Sequence, residues 1–489
     1  MRPLASKFIN IINLIDISAL TKRWPHISRE LFKEGSFVQN AAWMFSSSGI
    51  SIVLQFLFFY LLSKIYSPAD YGLFGVFNVY AATLGNLASF GYNQAFVLPK
   101  EQDKFKHLLH MTIAVSSIVC LLFALTMCFL GSWTLNVLGH QQLGWYIHLV
   151  APIAWLMAMD RITADWAIRV KSFKNQMWTS VAATVGSRSY NLCHGLWIGP
   201  DAVGLIITTA LQHCLRIILY MRFVITDSSI RWWRQWNYKG MLDMAKTYLR
   251  YPTYVHWSNV LVIFSAGLPP ALLPIYGYAL SDLGYYVHAL VLLDIPIRLM
   301  GAGIASVFTQ KAAEIMRDRP EALRPHSLQL YRYILGISLV FLFIVLVFGE
   351  WGYAFVFGTS WQSAGSLAEV LVLYFFFRMI SSPLSALFYV LKAEKQNFYF
   401  HLSLTIARLL CLWWAASAHI DFLSVMCWYA LVNALFYLIY IALILQLIRG
   451  SHWIWISRTL ALTAGVMIAA AGLRLLLFGD MGPLMQWIW

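Results

Sequence analysis

The chain has 489 residues, 60% of them hydrophobic and only 11% charged, with a mean hydropathy of +0.66 and a formal net charge of +14. A soluble domain carries about 25% charged residues, so this composition excludes a soluble enzyme and describes a membrane protein with many crossings. Nor does the positive charge read as a nucleic-acid surface, because the lysines and arginines fall in bursts between apolar segments, in alternate gaps only.

In chain order, the first element is an arm at 1–36. Its segment 8–17 places Asn10, Asn13 and Asp16 on a helical stripe, with Lys7, Lys22 and Arg23 around it. No small-residue cleavage site follows, so a cleavable signal peptide is not expected. The segment reads either as an amphipathic helix lying on the membrane or as a plain tail. Spans of roughly 20 mainly apolar residues then follow. Thirteen are predicted, at 38–62, 71–97, 108–131, 144–164, 177–198, 202–225, 251–274, 283–308, 334–357, 366–391, 398–418, 421–448 and 456–478. The tail after Asp480 is too short to cross again.

Lysine and arginine crowd the N-terminal arm and every even-numbered gap, whereas the odd gaps contain only Lys64. This alternation predicts a cytoplasmic N-terminus and an outer C-terminus. The gaps expected outside are very short, which weighs against a glycan polymerase or ligase with an external catalytic loop. The tryptophans of Trp232-Trp233-Arg234-Gln235-Trp236 read as an interfacial anchor.

The spans divide into two halves. After the first stands Ile65-Tyr66-Ser67-Pro68-Ala69-Asp70-Tyr71-Gly72, and after the seventh Ile275-Tyr276, a turn, then Asp282-Leu283-Gly284. Asp70 and Asp282 are each expected to cap the outer start of the following helix. An even number of helices separates the copies, so the repeat is parallel, as in transporters whose lobes rock about a central site. The predicted fold class is all-α: a polytopic membrane protein of about thirteen helices, with two six-helix lobes and an extra C-terminal helix. The expected boundaries are 37–225 for the N-lobe, 226–250 for a cytoplasmic linker, 251–448 for the C-lobe and 449–489 for the extra helix and tail.

Charge inside the spans is the most informative feature. Arg188, Arg298, Arg378 and Arg408 lie deep in apolar stretches, with Asp294 the acidic residue at comparable depth. A charge there is costly and faces a wet cavity or a partner. Arg188 and Arg408 sit near the middle of corresponding helices, the fifth and eleventh. Asp294 and Arg298, four apart on one helix, are candidates for an ion pair, and Asp294 for ion coupling. Asp160, Arg161 and Arg216 are expected to snorkel at the inner surface and Arg474 at the outer one. Glu369 falls near an outer helix end. His194, His213, His256 and His288 read as interhelical contacts or proton carriers. Pro269, Pro270, Pro274, Pro296 and Pro383 mark bends. The six cysteines show no CxxC or metal-like spacing and no nucleotide-binding motif is present, so neither a metal nor another cofactor is expected.

Ser63–Phe74, Phe96–Lys100, Phe308–Glu314, Val356-Phe357-Gly358 with Trp361, and Ser381–Leu387 occur in an order that resembles the polysaccharide-exporting (Wzx-type) flippases of the multidrug/oligosaccharidyl-lipid/polysaccharide exporter superfamily. The resemblance covers about 36–450. It implies a non-enzymatic flippase in a bacterial cytoplasmic (inner) membrane. The implied substrate is an undecaprenyl-diphosphate-linked oligosaccharide, moved to the outer leaflet for O-antigen, capsule or exopolysaccharide. The implied partners are that lipid, the bilayer and the polysaccharide polymerase and export machinery. On this reading Arg188, Arg408, Arg298 and Arg378 line a cationic cavity and grip the diphosphate through forked hydrogen bonds. The alternatives are a drug/cation antiporter of the same superfamily, which predicts acidic residues at mid-membrane, and a flippase for the peptidoglycan precursor, lipid II. Many relatives have fourteen spans, so a final helix pair is in question here.

Overall fold

A computed structural model describes residues 37–137, 139–170, 172–223, 236–249, 251–252, 256–300, 304–448 and 452–488. The expected interfacial segment at 8–17, the tryptophans at 232 and 233, and much of the linker lie outside them. All described regular structure is helical. The long helices are α1 (Phe37–Ser63), α2 (Pro68–Ala88), α3 (Gln102–Val137), α4 (Ile147–Val170), α5 (Phe173–Trp197) and α6 (Ala202–Phe223). A bent α7 (His256–Ala266 with Leu268–Tyr276) follows. Then come α8 (Leu280–Met300), α9 (Leu323–Phe357), α10 (Gln362–Leu384), α11 (Glu394–Ser417), α12 (Phe422–Leu447) and α13 (His452–Phe478).

These follow the expected spans in order, and the chain is a multi-pass membrane protein. Among the described residues nine helices are long and apolar enough to cross, and the bent α7 makes up to ten. Helices α2 and α5 do not pass on apolarity, and in α1 the apolar segment Gly49–Ser63 is too short to be counted, so the count of thirteen crossings remains an expectation. In α5 the reason is plain: Lys174, Asn175, Gln176, Ser187, Arg188, Asn191 and His194 dilute it.

Local chemistry explains the boundaries. Ser67 and Asp70 form a reciprocal capping box at the start of α2, with Pro68 in the first turn. On α8 the Asp282 carboxylate accepts from the Ala279 N–H, the carboxylate half of the same device one repeat later. Both aspartates thus close helix starts, as their motif suggests. Helix α2 stops earlier than expected because Phe90 and Gly91 turn left-handed, at φ 47° and 72°. The eighth predicted span merges two elements. Helix α8 ends at Met300, and Ser306–Asp318 is a separate helix carrying exposed Lys311 and Arg317. Helix α7 bends by 63° at Gly267, where Pro269, Pro270 and Pro274 supply no N–H donors.

Helix pairing repeats at a shift of six. The packed pairs α1–α5, α2–α4, α3–α4, α4–α6 and α5–α6 recur as α7–α11, α8–α10, α9–α10, α10–α12 and α11–α12. Helix α10 is the most enclosed span. Helix α13 lies outside this scheme and packs on α9 and α12. The six cysteines are all unbonded.

Candidate functional site: a cavity between the two helix sets

The two sets meet chiefly through α2 and α8. At the end expected outside, glycines let these helices touch. A methyl on Gly72 would run into the Leu280 carbonyl, whose carbon is 2.7 Å from it. One on Gly284 would meet the Pro68 carbonyl carbon at 2.6 Å. Pro68 and Leu280 each stand one turn before the glycine of their own helix, so the contact has two-fold character. The repeated Asp-x-Gly therefore does two jobs: the carboxylate closes a helix start and the glycine admits the other helix.

More contacts shut the same end. Trp361 Nε1 donates to the Ser63 carbonyl at 2.7 Å. His288 is fully buried among Phe59 and Tyr71 from the first set and Tyr353, Phe357 and Trp361 from the second. Its ring stacks on Trp361 with centroids 3.9 Å apart, and neither ring nitrogen has a hydrogen-bond partner among the described residues. Ser63, Tyr71, Gly72, Phe357 and Trp361, from motifs hundreds of residues apart, converge here.

Beneath this seal a cavity of about 310 Å³ lies between α2 on one side and α7, α8 and α10 on the other. Phe74, Tyr286, Tyr374 and Phe375 form aromatic walls, and Asn78 is the polar contribution of α2. The bend of α7 at Gly267 also faces it. Its charged residues gather where α8 and α10 near their C-terminal ends. Asp294 Oδ2 accepts from Arg298 Nε at 2.7 Å, and Arg378 Nη1 lies 3.2 Å from Asp294 Oδ1. The expected Asp294–Arg298 pair is formed, with Arg378 added across the helix gap. Arg298 also reaches Gln55 of α1 at 3.4 Å, linking the two sets. Two guanidiniums and one carboxylate leave a formal charge of +1.

The other two arginines lie elsewhere. Arg408 is 4% exposed, donating Nε to Asn433 Oδ1 at 2.6 Å and Nη1 to Ser265 Oγ at 2.7 Å. It lies over the Tyr429 ring. These neutral partners satisfy it within the second helix set. Arg188 is half-buried on α5, within electrostatic reach of Tyr71. Neither borders the cavity. Depth along a helix sets height in the membrane and leaves the facing direction open, which is why four arginines of similar depth divide into two pairs.

The snorkelling expectations are corrected. Arg474 is 4% exposed and binds Glu350, Glu369 and Asp480, fastening α13 to α9 and α10. Glu369 is 1% exposed. Asp160 is buried between α4 and α6, paired with His213 at 2.7 Å and Arg216 at 3.2 Å. Arg161 bonds to Asn86. Desolvated charges need partners, and in each case a polar residue on a neighbouring helix supplies one. Sequence reasoning missed Asn78, Gln55, Tyr286 and Tyr374. A polar residue in mid-span was a readable signal for the first two, whereas a cavity tyrosine resembles any core aromatic.

The fold and site define a helical membrane protein of two repeated helix sets, sealed at one end with a cationic cavity inside. The chain belongs to the polysaccharide biosynthesis protein family, whose model matches residues 61–366. Among curated proteins none matches the sequence. In fold it is similar to the lipid II flippase MurJ in an inward closed conformation, with a TM-score of 0.62 at 12% identity over 88% of this chain and 98% of that one. An inward-facing multidrug resistance MATE transporter of the MOP superfamily gives 0.62 at 14% identity, over 87% and 99%. A eukaryotic MATE transporter gives 0.54 at 16%, over 87% and 97%.

Proposed function

We propose that this chain is a flippase that carries a lipid-linked oligosaccharide diphosphate from the inner to the outer leaflet of a bacterial cytoplasmic membrane by alternating access. The observation that carries this reading is the pairing of Arg298 and Arg378 on a single carboxylate at a cavity between the helix sets. Guanidinium binds phosphate through forked hydrogen bonds and stays charged. The aromatic walls suit the first sugars, and the lipid tail stays in the bilayer. With Lys and Arg marking the inner side, the sealed end faces outward and the charged end inward, a state suited to loading. A net positive cavity disfavours a drug/cation antiporter.

The test replaces Arg298 and Arg378 singly and together with Ala and Lys, and Arg188 and Arg408 in parallel. Surface polysaccharide and protein level are measured for each. Loss of export at normal protein level is expected from Arg378→Ala. Arg408→Ala is expected to lower protein level instead, because it strips hydrogen bonds from a buried site. Normal export from the double Arg298→Ala, Arg378→Ala variant would overturn the reading.

A further inference from the structure

We infer that Asp294 is a displaceable counter-ion that makes the cavity select ligands with two adjacent anionic groups and keeps singly charged lipid headgroups out. This rests on the diphosphate reading of the same cavity. Four arginines within the spans of this protein show three contrasting environments. Arg408 is fixed by neutral partners, and Arg474 by three carboxylates, each side chain only 4% exposed. Both are complete and gain nothing from a ligand. Arg298 and Arg378 are 49% and 28% exposed, border the cavity, and share one carboxylate that is itself 22% exposed.

That sharing leaves each cation with half of one carboxylate, to which Arg298 adds only the long contact to Gln55 at 3.4 Å. Oδ2 of Asp294 is hydrogen-bonded to Arg298, while Oδ1 faces Arg378 at 3.2 Å without an aligned hydrogen bond. Each guanidinium receives one carboxylate oxygen where its fork can take two. A diphosphate carries non-bridging oxygens on two phosphorus atoms and can fill both forks together. A phosphodiester headgroup brings one negative charge and two such oxygens, which only duplicates Asp294. It would also compete against a carboxylate already tethered in place, an advantage of effective concentration. Anionic phosphodiester lipids surround any such cavity in the membrane. Without Asp294 the pair would carry a formal +2 and take them up.

The test uses the purified full chain with farnesyl diphosphate and a short-chain phosphatidylglycerol as probes. Both are titrated into wild type, Asp294→Asn and Asp294→Glu. Wild type is expected to prefer the diphosphate. In Asp294→Asn, phosphatidylglycerol binding should tighten by on the order of tenfold more than diphosphate binding, since the phosphodiester must take the carboxylate's own place while the diphosphate also reaches the fork positions that Asp294 leaves open. Asp294→Glu keeps a carboxylate and should keep the preference. Asp294→Ser, with the same expected loss of preference, serves if the Asn variant is not recovered. An unchanged ratio in the uncharged variants, with wild type binding the diphosphate, overturns the counter-ion role alone. Absence of diphosphate binding to wild type overturns the diphosphate reading with it.

Discussion

Gly284→Ala is the sharpest perturbation of the seal between α2 and α8. Its new methyl would stand 2.6 Å from the Pro68 carbonyl carbon, where carbon atoms pack at about 3.5–4.0 Å. The carbonyl oxygen stands closer still, so the helices must part at that point. Overpacking of this kind typically costs about 1–3 kcal/mol. In alternating access the cost falls on the outward-sealed state only, because parted helices no longer meet. A bias of about 1–3 kcal/mol shifts a two-state population by about 5–150-fold. Gly72→Ala should act alike, since its methyl meets Leu280. The double variant should add less than the sum, because one separation relieves both collisions. The readout is labelling of a cysteine placed at Asn78, in the cavity, by a membrane-impermeant maleimide on right-side-out vesicles. The parent without that cysteine corrects for the six native thiols. Outside labelling should rise by on the order of tenfold in Gly284→Ala and fall correspondingly from the inside. Normal expression of both alanine variants with labelling at the parental rate would refute the argument that this contact is the outer seal.

Arg474→Ala should lower the unfolding temperature and the protein level. It leaves Glu369, 1% exposed, without its cation, and breaking a buried pair costs about 3–5 kcal/mol; Arg474→Lys should fall between. His288→Phe should match or exceed wild type in thermal stability, because it keeps the stack on Trp361 and removes two nitrogens that have no partner among the described residues. His288→Asn should lose about 3 kcal/mol or more with the aromatic packing, and thermal unfolding of the purified variants checks both.

The order of the long helices was legible because apolar runs and alternating charge are one-dimensional signals. Asp70 and Asp282 were readable as helix starters because a cap is a local interaction. The glycines two positions later were visible but mute, since their purpose lies in a helix some 200 residues away in sequence. Asp294 with Arg298 was legible from i,i+4 spacing, while Arg378 joined them only through the packing of α8 on α10. For Arg474 and Asp160, nearness to a helix end suggested snorkelling. What decides their state is carboxylate or histidine on other helices, which a single helix does not display. Arg188 and Arg408 share depth by repeat symmetry, but the central cavity is not symmetric. It lies between α2 and three helices of the second set, so an arginine on α5 or α11 can match in height and still be excluded.

Cavity size adds a constraint on how a lipid-linked glycan could load. Pockets that enclose a drug-sized ligand run to about 300–1,000 Å³, and this one, at about 310 Å³, sits at the lower limit. It can hold a diphosphate with little more than the first sugar against Tyr286 and Tyr374. On the proposed reading an oligosaccharide would therefore extend past Arg298 and Arg378 toward the charged end, or the helix sets would part further as it enters. On that reading the arginines hold the diphosphate whichever way the glycan extends. Recognition then rests on the group common to all such lipids. That property would let one cavity serve repeat units of differing sugar composition, and it explains why the cationic end alone does not separate an oligosaccharide flippase from a lipid II flippase.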